Sequence, residues 1–235
     1  MSATPDILTR VDAVIDGRRD VWDPPPARRA ATVALLRAGR HQMEVYLMRR
    51  SANMKAAPHV HVFPGGGLAA EDGDPDDEAA VRRAAVREVR EETGIALSAD
   101  DLVRFARWVT PEVMPHRHDT EFFAIGLPEG VEPQLLGTEA DSSVWLSPTD
   151  ALDRFARGGF GLLPPTLAAL HQLSAHDDVG DVLVALARLP VPALMPTPQR
   201  TDDQVSFRLV DMVGQREVHP SEVGLPPDWQ PIVVR

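Results

Sequence analysis

Apolar runs of strand length alternate with polar breaks along most of the chain. AATVALLR (Ala30 to Arg37) and MEVYLMRR (Met43 to Arg50) flank AGRHQ and predict a strand, a turn and a strand. VHVFPGGG (Val60 to Gly67) predicts a third strand, stopped by Pro64 and the glycines that follow. RFARWVTP and DTEFFAIGL predict two more, and SVWLSP a short one. Between the third and fourth of these the period changes. Asp74 is the expected N-cap of a helix, with Pro75 in its first position and Asp76, Asp77 and Glu78 at the positive end of its dipole. Ala79 to Glu92 are mostly strong helix formers, and Gly94 is the expected terminator. TDALDRFARG predicts a helix opened by Thr149, and TLAALHQLSAH and VGDVLVALARL predict two further helices.

This order predicts an α/β (α+β) fold, a mixed sheet sandwiched between helices with extra helices towards the C-terminus. Residues 1–26 read as a lead-in ending in DPPPARR, residues 27–190 as the main domain, and residues 191–235 as a proline-rich extension. QVSFRLVDM is the one strand candidate in that extension, and its edge offers a route to a homodimer.

Composition narrows the function. With 43% hydrophobic residues the chain of 235 can bury a sizeable core. Its net charge of -11 argues against a nucleic-acid-binding surface, though a bound cation would still admit a small polyphosphate. There is no cysteine, so disulfides and thiolate metal sites are excluded. No apolar run reaches membrane-span length and MSATPDILTRVDAV lacks a signal peptide's apolar core, so the expectation is a cytoplasmic protein that does not bind membranes.

The stretch VREVREETGI poses an electrostatic problem. Glu88, Glu91 and Glu92 fall at i, i+3 and i+4, so a helix crowds three carboxylates onto one face. Alone, such a run reads as a solvated acidic face. Placed on a capped helix after a glycine-rich loop, it reads as a set of hard oxygen ligands for a divalent cation.

Arg87, Glu88, Val89, Glu91, Glu92, Gly94 and Ile95 match the C-terminal half of the Nudix box, G-x5-E-x7-R-E-U-x-E-E-x-G-U with U aliphatic, so the chain resembles the Nudix hydrolases. Arg87 follows Gly66 by 21 positions where the pattern has 14, so the loop is longer than usual. The first glutamate of the box has candidates in Glu71, Asp77 and Glu78. RRSANMKAAPHVHVFPGG also resembles the segment that precedes the box in coenzyme A diphosphatases, R-S-x3-R-x3-G-x-V-x-F-P-G-G, with Lys55 in place of arginine and His59 in place of glycine. RWVTPEVMPHRHDTEFFA is similar to the strands after the box in peroxisomal-type coenzyme A Nudix enzymes.

The resemblance implies hydrolysis of a nucleoside diphosphate linked to another group, here coenzyme A or an acyl-coenzyme A, with Mg²⁺ or Mn²⁺ as cofactor. It implies Glu88, Glu91 and Glu92 as metal ligands, and Arg87 as the side chain that orients a glutamate. Glu91, Arg87 and Glu139 are the candidate catalytic residues, with Glu121 and then Glu112 as other candidates for the base. Arg49, Arg50, Lys55, Gly65 and Gly66 are the candidate substrate-binding residues. His59/His61 and His116/His118 form two H-x-H pairs, a weaker zinc signal without cysteine. Other substrates in view are ADP-ribose, NADH and dinucleotide polyphosphates, and another class is a binding or regulatory module without turnover.

Overall fold

The computed structural model describes residues 4–54, 56–201 and 204–229, and its central strand shows how the layers arise. β1 (Arg28–Ala38) alternates its apolar residues between two faces. Ala31, Val33 and Leu35 pack with Val81, Ala85 and Val89 of α2 (Glu78–Thr93). Ala34 and Leu36 pack into the opposite cluster with Ala168, Leu170 and Leu173 of α4 (Pro164–Leu173) and Val182 and Leu186 of α5 (Val179–Leu186). A strand covered on both faces reads as a continuous apolar run, which is the form AATVALLR takes.

β1 pairs antiparallel with β2 (Met43–Arg50) and β4 (Gly65–Gly67), and parallel with β6 (His118–Gly126). β2 also pairs with β3 (Val60–Val62) and β7 (Ala140–Leu146), with a bulge between Arg49 and Arg50. β5 (Val103–Val109) lies beside β6, and β8 (Gly161–Leu162) beside β3. α3 (Pro148–Arg157) follows β7. The sheet is mixed and lies between helices, as the pattern predicts.

Two helix starts differ from expectation. Asp77, not Asp74, caps α2 by accepting from the Ala79 N–H at 3.0 Å. Asp74 is used by the turn before it, accepting from the Asp76 N–H at 3.0 Å. Ser147, not Thr149, caps α3, with Pro148 just inside.

The two longest elements that went unread in the sequence are a helix and a strand. Ile7–Ile15 forms helix α1 inside the lead-in, capped by Asp6, with Val11 buried against Val113 and Phe207. The apolar spacing of Ile7, Val11, Val14 and Ile15 carries that signal. β9 (Ala193–Thr201) contains Pro196 and Pro198, which argued against a strand. Among the described residues it pairs with β5 only through Ala193 and Leu194, and the rest of that edge has no described ladder partner, a setting in which proline is tolerated. The expected C-terminal strand is β10 (Gln204–Asp211), and it lies within the chain's own sheet between β9 and β11 (Arg216–Glu217). Among the described residues no helix is long and apolar enough to cross a membrane.

Leu194, Leu209, Val223 and Trp229 belong to the same buried cluster as Leu36, Leu47 and Phe105. Leu194→Ala should therefore cost about 3 kcal/mol, comparable with Leu47→Ala. Urea unfolding of the two variants checks this; a loss below about 0.5 kcal/mol at Leu194 would mark residues 191–229 as a surface appendage.

Candidate active site

The site forms where α2 crosses β4. Ala80, Ala84 and Ala85 are fully buried, and their small side chains let the helix approach the sheet closely. The loop glycines complete the approach. A Cβ at Gly65 would lie 2.3 Å from the Ala31 carbonyl oxygen, and one at Gly66 would lie 2.6 Å from the Glu88 carboxylate carbon. At Gly65 only a bare backbone fits against β1, and at Gly66 a side chain would displace the Glu88 carboxylate.

Glu92 accepts from the Gly65 N–H at 2.8 Å. Burial raises its pKa to about 7; the Gly65 bond and Arg50 oppose the shift, and the charges of Glu88 and Glu139 add to it. Burial likewise raises Glu88, against the pull of Arg87 and with a push from Glu91 and Glu139. Glu91 stands apart, its side chain 58% exposed against 16% for Glu88, and touches Arg87 at 3.3 Å. The helix thus brings Glu88 and Glu92 to the glycine loop and leaves Glu91 at the rim.

Arg87 ties the site together. Its guanidinium donates to Asp72 at 2.8 and 3.1 Å, to Glu88 at 2.9 Å and to the Gly67 carbonyl at 3.0 Å. Asp72 is 3% exposed, and it accepts from the Ala69 N–H at 2.8 Å as well. The Arg87 hydrogen bond holds the Asp72 carboxyl below its ordinary pKa. The carboxylate that Arg87 grips is thus Asp72, rather than Glu71, Asp77 or Glu78, the candidates for the first glutamate of the box. A signal existed: Asp72 stands six positions after Gly66, the interval the box sets for its first glutamate. Counting back from Arg87 across the longer loop hides it.

A NUDIX domain model matches residues 26–164. The chain belongs to the Nudix family. It is 26% identical over 186 residues to a provisionally named nudix hydrolase, number 7, of Caenorhabditis elegans, covering 64% of this chain and 62% of that one. The chain therefore spans about 62% of the length of that relative. The crystal structure of a NUDIX hydrolase from Alicyclobacillus acidocaldarius superposes with a TM-score of 0.63 at 27% identity, covering 70% of this chain and 99% of that one.

Other candidates of this Nudix domain fall into distinct places. Glu139 is exposed on the loop before β7, and its carbonyl accepts from the Ser51 N–H at 2.8 Å. Arg50 donates to the Ala56 carbonyl at 3.2 Å, whereas Arg49 contacts His59 at 2.9 Å and Asp141 at 3.6 Å. Lys55 lies outside the described residues. Glu121 is buried between Arg29 at 2.6 Å and Arg104 at 2.7 Å, and Glu112 pairs with Arg19 at 3.1 Å, so both serve ion pairs. His61 stacks on Phe160 at 3.7 Å. A cavity of about 800 Å³ lined by Arg37, Glu44, Glu132 and Asp150 shares no residue with the Nudix site.

Nudix enzymes generally use divalent metal ions. Among the described residues no three His, Asp or Glu side chains converge as a ready-made cage. Two neighbouring carboxylates with raised pKa still suit Mg²⁺, which keeps several of its waters.

Asp72→Asn removes the buried carboxylate that Arg87 grips with two donors and leaves Glu88 and Glu91 as its anionic partners, and should destabilise the fold by about 2 kcal/mol, measured by urea unfolding. The raised pKa of Glu92 means that the metal-free fold holds a proton the unfolded chain releases near 4.5. Its contribution to stability is full below about pH 4.5 and is lost as pH rises through about 7. In EDTA, Glu92→Gln should match the wild type at pH 5 and exceed it at pH 8; equal stability at both would exclude the shift.

Proposed function

We propose that the chain is a metal-dependent pyrophosphohydrolase that cleaves the phosphoanhydride of a nucleoside diphosphate linked to another group, with coenzyme A or an acyl-coenzyme A as substrate. The observation that carries this reading is the pair Glu88 and Glu92, desolvated against Gly65 and Gly66 and backed by Arg87. A bound Mg²⁺ or Mn²⁺ would neutralise phosphate oxygens and acidify water. Glu88 and Glu92 would hold it, with Glu91 joining from the rim. Arg87 keeps Glu88 in register through Asp72. Glu139 takes the proton of the attacking water, whose oxygen bonds to phosphorus as the anhydride P–O bond breaks. The leaving phosphate carries away the charge, and Arg50 draws the diphosphate towards the carboxylates by a planar fork of donors, with Arg49 beside it at the strand end. The products from coenzyme A are 3′,5′-ADP and 4′-phosphopantetheine.

The coenzyme A assignment rests on the RRS and FPGG segments and on the loop between them. His59, at the glycine position of the resemblance, has φ +64°, a left-handed backbone of the kind glycine takes most easily. The loop therefore keeps a glycine-like bend there despite the substitution.

Products resolved by mass test the reading, using coenzyme A, acyl-coenzyme A, dephospho-coenzyme A, ADP-ribose, NADH and diadenosine polyphosphates with Mg²⁺ or Mn²⁺. Coenzyme A should be cut, and Glu92→Gln should lower turnover about 10² to 10³-fold without unfolding the protein. Cleavage of ADP-ribose or a dinucleotide but not coenzyme A would leave the chemistry and remove the substrate; no metal-dependent cleavage of any would favour a binding module.

A further inference from the structure

A side chain in the left-handed region carries a strain that glycine would remove, so a histidine there invites the question of what its imidazole does. His59 makes two contacts at the end of β2. Its backbone N–H donates to the Arg50 carbonyl at 3.0 Å, closing the loop that leaves β2. Its Nδ1 lies 2.9 Å from Arg49 Nη2. Arginine only donates, so in this contact His59 accepts at Nδ1. The other end of the same guanidinium reaches Asp141 at 3.6 Å, and the Ser142 hydroxyl donates to Asp141 at 3.0 Å.

The chain His59, Arg49, Asp141 spans the bulge of the β2–β7 ladder, where the register steps from Arg49 opposite Ser142 to Arg50 opposite Ala140. That bulge is where the candidate phosphate-binding Arg50 and the loop end carrying Glu139 meet. Bulges re-aim side chains beside functional sites and need fixing to do so reproducibly.

We propose that His59 is a positioning residue: its imidazole holds Arg49 against Asp141 while its backbone closes on Arg50, fixing the bulge that sets Arg50 beside the carboxylate pair. The proposal rests on the substrate role given above to Arg50. It explains why the strained position carries a side chain: glycine would adopt the bend and leave Arg49 with Asp141 alone.

Asparagine separates the two functions of the residue. It tolerates the left-handed conformation, and its Oδ1 can accept from arginine; glycine tolerates the conformation and accepts nothing. H59G should keep Tm at or above the wild-type value, raise KM about three- to tenfold, the scale of one exposed hydrogen bond, and leave kcat within about twofold. H59N should hold KM within about twofold of wild type. R49M should raise KM as H59G does, and H59G added to R49M should change nothing further. Wild-type KM in both H59G and H59N, equal rises in both, or multiplying effects of H59G and R49M would each overturn the proposal. If the wild-type protein cleaves no substrate of the panel, the hydrolase reading fails separately, and Tm alone judges His59. H59N should then be more stable than H59G with Arg49 present and equal to it in the R49M background; an unchanged difference in both backgrounds would overturn the link.

Discussion

Setting two carboxylates side by side against a sheet costs free energy that only a fixed positive partner offsets, and Arg87 is that partner. Its donors reach Asp72, Glu88, Glu91 and the Gly67 carbonyl together. The loop before α2, the helix itself and β4 therefore meet at one group. Without it Glu88 would face Glu92 and Glu139 with no cation in contact. A bidentate arginine suits the task because its planar fork holds direction as well as charge. The offset is incomplete: Glu92, out of contact with Arg87, keeps a pKa raised to about 7. A residual excess of negative charge beside a glycine loop is what a divalent cation would complete.

That arrangement needs the helix to lie close to the strands. Alanines on the buried side of α2 and glycines in β4 remove the atoms that would hold them apart. The strands supply a flat bed because β1 divides its apolar residues between α2 on one face and α4 and α5 on the other. Function at the rim of the sheet thus depends on packing at its centre. The Nudix helix is positioned by Val81, Ala85 and Val89, none of which bears any chemistry.

The candidate substrate-binding and base residues are placed differently. Glu139, Arg49 and Arg50 come from strand ends and a loop, held by a bulge and by polar contacts at the surface. Such contacts are individually weak, so the geometry there is set by several of them acting together. His59 is the point where backbone strain and side-chain pairing coincide, and there this chain departs from the segment it resembles.

Local spacing determined much of this protein from the sequence alone. Most of the central strands, the helix ending at Gly94 and the common face of Glu88 and Glu92 follow from apolar patterning and helical spacing, which depend on near neighbours. The Nudix box was legible for the same reason, since its second half lies within one helix. Tertiary structure decided what depended on distant partners. Asp72, rather than Glu71, Asp77 or Glu78, meets Arg87 because the longer loop folds back and buries it, and no local period records a fold-back. Glu91 was separated from Glu88 and Glu92 by the position of the sheet, which shelters one side of the helix and leaves the rim in water. Pro196 and Pro198 could enter β9 because, among the described residues, one edge of that strand pairs only at Ala193 and Leu194, where β5 ends. Sequence spacing specifies which way a side chain leaves its own backbone; what waits for it there is set by chain that is remote in sequence.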